Sequence, residues 1–126
     1  MAEITFTGNK KLKSIAHEFS KKFPYLFLRF WNNEGAHVHD WELTHSSIRG
    51  KKAAEDLSTN ASMLVSTFES RYESNFGCKI EIMYLKNGRR YRSLDGNNKQ
   101  TLNEFKEWAK AKGADNIIEK HSSFFA

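Results

Sequence analysis

The residues with the most direct claim to chemistry are His37-Val38-His39-Asp40, followed by His45. On a β-strand, positions 37 and 39 point to one face about 7 Å apart, so both imidazoles can approach one ion. Imidazole suits Zn, Ni and Cu, and Asp40 with His45 could complete the ligand set. The metal set this spacing predicts is His37, His39 and Asp40, and a metal-dependent enzyme at this His-x-His site is one reading of the chain. The segment also follows a polar turn, Asn32-Asn33-Glu34-Gly35. Read as loop, it presents its histidines to solvent with no metal role.

Other reactive side chains make a thinner case. Asp40 and Glu42 would share a strand face on either side of Trp41, Glu69 and Glu73 fall at i, i+4 on the exposed side of a helix, and Glu104 reads as a helix cap. Cys78 lies on the apolar side of a strand, where a thiol is core rather than nucleophile. The chain contains no G-x-S-x-G, H-E-x-x-H or phosphate-binding loop. Gly8-Asn9-Lys10-Lys11 at a helix start could hold an anion but reads first as a cap. The reading therefore leans away from an enzyme and expects no cofactor.

The elements that must position these residues follow from spacing. Leu12, Ile15, Ala16, Phe19 and Phe23 form one helical stripe, which Pro24 ends. Leu64, Phe68, Tyr72 and Phe76 form a second stripe closed by Gly77, and Thr101-x-x-Glu104 is a capping box opening a third helix that Gly113 stops. Strands are expected at Tyr25–Trp31, at Cys78–Leu85 and, through the Asn87-Gly88 hairpin signal, at Arg89–Leu94. Short strands are expected at 36–43, 53–57 and Asn116–Ile118, with one helical turn at 44–49. Three segments repeat a strand–turn–helix start: Phe6-Thr7-Gly8-Asn9 before Leu12, Leu57-Ser58-Thr59-Asn60 before Leu64, and Leu94-Asp95-Gly96-Asn97 before Leu102.

A two-residue hairpin sets 84 opposite 91, 83 opposite 92 and 85 opposite 90. One face then carries Ile80, Ile82, Tyr84 and Tyr91, and packs under the helices. The other carries Lys79, Glu81, Met83, Leu85, Arg90, Arg92 and Leu94. Tyr25, Phe27, Arg29 and Trp31 alternate with Leu26, Leu28 and Phe30 in the same way. If both strands share a sheet, Tyr25, Phe27, Arg29, Trp31, Met83, Leu85, Arg90 and Arg92 form one contact surface. Aromatic and Arg side chains anchor protein interfaces. They also stack single-stranded nucleic acid. A strand apolar on both sides is, alternatively, covered on both sides.

The chain has 126 residues, fits one domain, and is built around ten Phe, four Tyr and three Trp. A single Cys excludes an internal disulfide and a multi-cysteine zinc site. No apolar run approaches the roughly 18 residues of a membrane span, and the N-terminal residues lack an apolar signal core, so a cytoplasmic protein that does not engage membranes is expected. The net charge of +5 gives only a mild pull on polyanions. The segments KLKSIAHEFSKKFPYLFLRFW (11–31) and MLVSTFESRYESNFGCKIEIMYLKNGRRYRSL (63–94) resemble a group of small uncharacterised bacterial proteins that pair an EF..KFPYL.L.F segment with a V..FE..F...FG segment. The resemblance covers about half the chain and implies neither an activity nor a site.

The expected fold is α+β: a mostly antiparallel sheet with helices on one face, in a single domain over 1–126. Residues 1–50 would form a strand–helix–strand–strand part, and 53–120 a ferredoxin-like β-α-β-β-α-β part. The expected function is a non-catalytic binding module, a small protein-interaction or assembly protein acting on a protein partner or on itself. Single-stranded nucleic-acid binding on the same face is the alternative.

Overall fold

A computed structural model describes residues 4–49 and 57–121. The elements are β1 (Ile4–Phe6), α1 (Leu12–Lys22), β2 (Phe27–Phe30), the turn α2 (His45–Ile48), β3 (Leu57–Thr59), α3 (Val65–Phe76), β4 (Ile80–Lys86), β5 (Arg89–Arg92), the turn α4 (Asp95–Asn98), α5 (Leu102–Ala111) and the turn α6 (Ile117–Lys120). The class is α+β. An antiparallel three-stranded sheet of order β2-β4-β5 has helices packed against it, and β1 with β3 forms a separate antiparallel pair.

The α1 stripe does what its spacing predicts; in α3 Phe68, Tyr72 and Phe76 do, but Leu64, expected in that stripe, is the exposed N-cap residue and Val65 takes the first inward position. Leu12, Ile15, Ala16 and Phe19 of α1 and Val65, Phe68, Tyr72 and Phe76 of α3 are buried against Leu28, Phe30, Ile80, Ile82 and Tyr84 on the sheet's inner face. Gly77 ends α3 with φ 72°, a left-handed backbone that a residue with a Cβ adopts only at a cost. Thr101 and Glu104 make the reciprocal capping box at the start of α5.

The helix starts show how the repeated turns work. Neither Lys11 nor Leu64, the caps of α1 and α3, offers a side-chain acceptor. Instead the orphan N–H groups of Leu12 and Lys13 donate to Leu43 O and Trp41 O, and that of Val65 donates to Gln100 O. The start of α5 is held in return, from Leu102 N to Met63 O. Isolated bridges Lys11↔Thr44 and Leu64↔Thr101 lock each pair of turns. Asp40-Trp41-Glu42-Leu43 is thus a fourth copy of the turn. The two halves also repeat in burial: adding 53 to Leu12, Ile15, Phe19 and Phe23 gives Val65, Phe68, Tyr72 and Phe76, all buried.

Four other expectations are corrected. The ferredoxin-like order is not shown, because β3 pairs with β1 outside the larger sheet. Asn116–Ile118 is not a strand. The Asn116 side chain accepts from Glu119 N–H and opens the turn α6, a cap-x-x-Glu signal written in the sequence. Residues 36–43 contribute only the bridge Trp31↔His37 and the bond from Val38 N to Phe30 O, since the segment is committed to capping α1. Helical turns lie on both faces of the sheet, because Ile117 of α6 packs on the outer face against Phe27, Met83 and Leu85. The expected strand positions 53–56 and the tail beyond His121 lie outside the described residues.

Candidate binding site on the outer sheet face

Register decides which side chains meet on the outer face. Phe27 stands opposite Met83, Arg29 opposite Glu81, Met83 opposite Arg92 and Leu85 opposite Arg90, so the two strands share one sheet with the expected faces. The expected contact set nevertheless divides in three. Phe27, Met83 and Leu85 are buried with Ile117 in a small second core and are not surface. The chain enters this cover through two short bonds, Asp115 N to Leu85 O and Ile117 N to Pro24 O, each 2.7 Å. Tyr25 lies outside β2, packed on the main core with Lys110 Nζ over its ring at 5.7 Å. Arg29, Trp31, Arg90 and Arg92 remain together around a hollow they share with His37, Glu81 and Met83. Tyr91, expected under the helices, stacks on Tyr84 and keeps one side in solvent.

Glu81 is the hub of this open part. Its Oε1 accepts from Trp31 Nε1–H at 2.9 Å. Arg29 Nη1 lies 3.9 Å from the same oxygen, and Arg92 Nη1 lies 3.8 Å from Oε2. At those separations the guanidinium groups attract the carboxylate without completing hydrogen bonds to it. His37 packs edge-on to Trp31 with ring centroids 4.1 Å apart, and its Nε2 is buried 3.9 Å from Glu81 Oε1. Behind this group Glu69 is half-buried rather than on the exposed side of its helix. Its Oε2 accepts from Ile82 N–H at 3.2 Å, and burial, with Glu81 nearby, pushes its carboxyl up to about 7.

Next to the hub, β2 and the 37–42 segment enclose a cleft of about 310 Å³, lined by Phe27, Leu28, Arg29, Val38, Trp41 and Arg90 together with Lys13, His37, His39 and Glu42. Its outer wall is built rather than loose. Val38 N bonds Phe30 O, Lys13 N bonds Trp41 O, and Trp41 sits edge-on to Phe30 at 5.8 Å. Glu42 is already neutralised. Hydrogen bonds from Lys13 and Lys11 hold its carboxyl down to about 2.

The gathering of His37, His39, Asp40 and His45 does not form. His37 is turned onto Trp31, His39 is exposed on the cleft rim, and Asp40 Oδ1 accepts from Glu42 N–H within the turn. Among the described residues no three His, Cys, Asp or Glu side chains are placed to hold a metal ion.

His45, read from sequence as a ligand or a surface residue, is fully buried. Arg49 Nε and Nη2 reach its Nδ1 at 3.1 and 2.9 Å. A guanidinium only donates, so Nδ1 is the acceptor and the ring proton sits on Nε2, which donates to Tyr72 Oη at 2.6 Å. Burial first, then the Arg49 charge, hold the imidazole down to about 3. Arg49 covers the Phe76 ring at 4.4 Å, and Cys78 Sγ lies 4.0 Å from Tyr72 Oη. This network ties α2 to α3 and has no face toward the outer cleft. The signal for it was present in the i, i+4 spacing of His45 and Arg49. Its burial depended on a tertiary contact with Tyr72 across 27 residues.

No family model, curated protein or solved structure matches this chain.

Proposed function

We propose that this protein is a non-catalytic binding module that recognises an acidic segment of a partner protein on the open part of its outer sheet face. The observation that carries the reading is the charge balance there: Arg29, Arg90 and Arg92 line one hollow in which Glu81 is the one carboxylate among the described residues, with Arg29 and Arg92 3.9 and 3.8 Å from its oxygens. Of that carboxylate's two oxygens, Oε1 is committed to the Trp31 indole. Guanidinium groups in this setting favour carboxylates, which they grip in forked hydrogen bonds. Trp31 supplies the aromatic anchor that such interfaces use. Burial of Phe27 and the displacement of Tyr25 leave Trp31 alone of the aromatic set on this face, which weakens the stacking platform that single-stranded nucleic acid needs.

The test is fluorescence anisotropy with a labelled Asp-Glu-Gly-Asp-Glu peptide and a labelled oligothymidylate. The expected result is salt-sensitive peptide binding that weakens about tenfold in Arg29→Gln/Arg92→Gln, the loss of roughly one charge-assisted contact. Binding of the oligonucleotide in preference to the peptide would replace this reading with the nucleic-acid one.

A further inference from the structure

The cleft beside the three arginines has no part in a purely electrostatic contact, and its lining differs from the hub's. Val38 and Trp41 form its apolar wall, Phe27 and Leu28 close the bottom while staying almost fully buried, and Arg29 and Arg90 stand at the border it shares with the charged hollow. The wall is pinned to β2 and to the start of α1 by backbone hydrogen bonds, so the cavity exists before any ligand arrives. Preformed concavity lowers the ordering cost of binding, and a volume of about 310 Å³ is at the small end of the ~300–1,000 Å³ usual for ligand pockets. On the opposite rim Lys11 and Lys13 share the one carboxylate of Glu42, which leaves that rim weakly positive. The larger positive charge lies on the arginine side.

We infer that this cleft is the anchor pocket of the interface, taking one aromatic or long aliphatic side chain of a partner segment whose flanking residues are acidic. The inference rests on the binding reading given above and specifies what the partner must carry. An apolar side chain entering between Val38 and Trp41 would leave the backbone on either side over Arg29 and Arg90, where neighbouring carboxylates meet guanidinium donors. A basic partner would meet three like charges, and a second copy of this face would bring three more, so charge complementarity selects an acidic partner.

The experiment compares acetylated, amidated Asp-Glu-Phe-Asp-Glu with Asp-Glu-Gly-Asp-Glu on the wild-type protein, with ¹⁵N NMR of the indole N–H groups as a second readout. Burying one phenyl ring predicts about 10- to 100-fold tighter binding of the Phe peptide. The Trp41 indole signal should shift with the Phe peptide and stay in place with the Gly peptide. In Val38→Trp, which fills the cleft without touching the Val38 N–H bond, the Phe-over-Gly preference should vanish, read as the ratio of the two affinities within that variant. Circular dichroism and the indole N–H spectrum of this variant are compared with wild type first, so that only a folded variant is titrated. Equal affinity of the two peptides on wild type overturns the anchor pocket and leaves the acidic-partner reading standing. Failure of both peptides to bind overturns that reading and the anchor with it. A Phe preference that survives in Val38→Trp, with the Trp41 signal unmoved, places the ring elsewhere and also overturns the inference.

Discussion

Two titratable groups, the fully buried His45 and the half-buried Glu69, act on stability in opposite directions, and removing one should expose the other. His45 is held down to about 3 in the folded protein against 6.5 for a free imidazole. As pH falls below 6.5 the unfolded chain gains a proton that the folded ring refuses, so stability contributed by neutral His45 is lost on the way down. Between pH 7 and 5 that loss is about 2 kcal/mol at 1.36 kcal/mol per unit. The figure requires only that the folded value lie well below 5. Glu69 runs the other way. Its carboxyl is pushed up to about 7 from 4.5, so over the same descent the folded protein takes up a proton the unfolded chain still refuses. Stability rises by about 1–2 kcal/mol, allowing for the partial exposure of this carboxyl. The two contributions nearly cancel in the wild type. The assay is urea unfolding followed by Trp fluorescence at pH 7 and pH 5 at one ionic strength, on wild type, Glu69→Gln and His45→Gln. Comparing each protein with itself at the two pH values removes the variant's own loss. Glu69→Gln should lose about 1–2 kcal/mol more than wild type on going to pH 5, and His45→Gln about 2 kcal/mol less. Variants that both track wild type within about 0.5 kcal/mol would refute the reasoning, because neither group would then be titrating in a perturbed site.

Three further outcomes are expected. Ile117→Ala should lower stability by about 2–4 kcal/mol in chemical denaturation, since it opens a cavity over Phe27, Met83 and Leu85; a loss below about 0.5 kcal/mol would mean that α6 does not seal that core. Thr101→Ala removes the acceptor for Glu104 N–H and should cost about 1 kcal/mol, measured in the same way. Cys78, buried beside Tyr72, should react with a disulfide reagent no faster than the protein opens, and immediate labelling of the native protein would show the site is accessible.

Much of the fold was legible because its signals are local. The stripes at Leu12–Phe23 and Phe68–Phe76, the left-handed Gly77, the Thr101–Glu104 box and the Asn87-Gly88 hairpin each need only a few neighbouring residues, and all appear where their spacing puts them. The facing of Arg90 with Leu85 and of Arg92 with Met83 followed from the hairpin turn alone. Even the repeated strand–turn–helix starts were visible. That they serve as caps for one another was not, because Leu12 N finds its acceptor 31 residues away, at Leu43 O.

Burial of the candidate site was decided only by tertiary structure. Alternation assigns Phe27 and Met83 to the outer face, but no period in a strand says what covers that face. Here the cover is a four-residue turn near the other end of the described chain, carrying Ile117. The same holds for His37-Val38-His39, whose spacing suits a metal only if the segment is a strand, and which instead closes one wall of a cleft while its neighbours cap α1. Residue types and periodicity set which side chains can share a face. Which of them stay exposed, and which carboxylate stands among the arginines, depends on contacts between distant segments that local spacing does not encode.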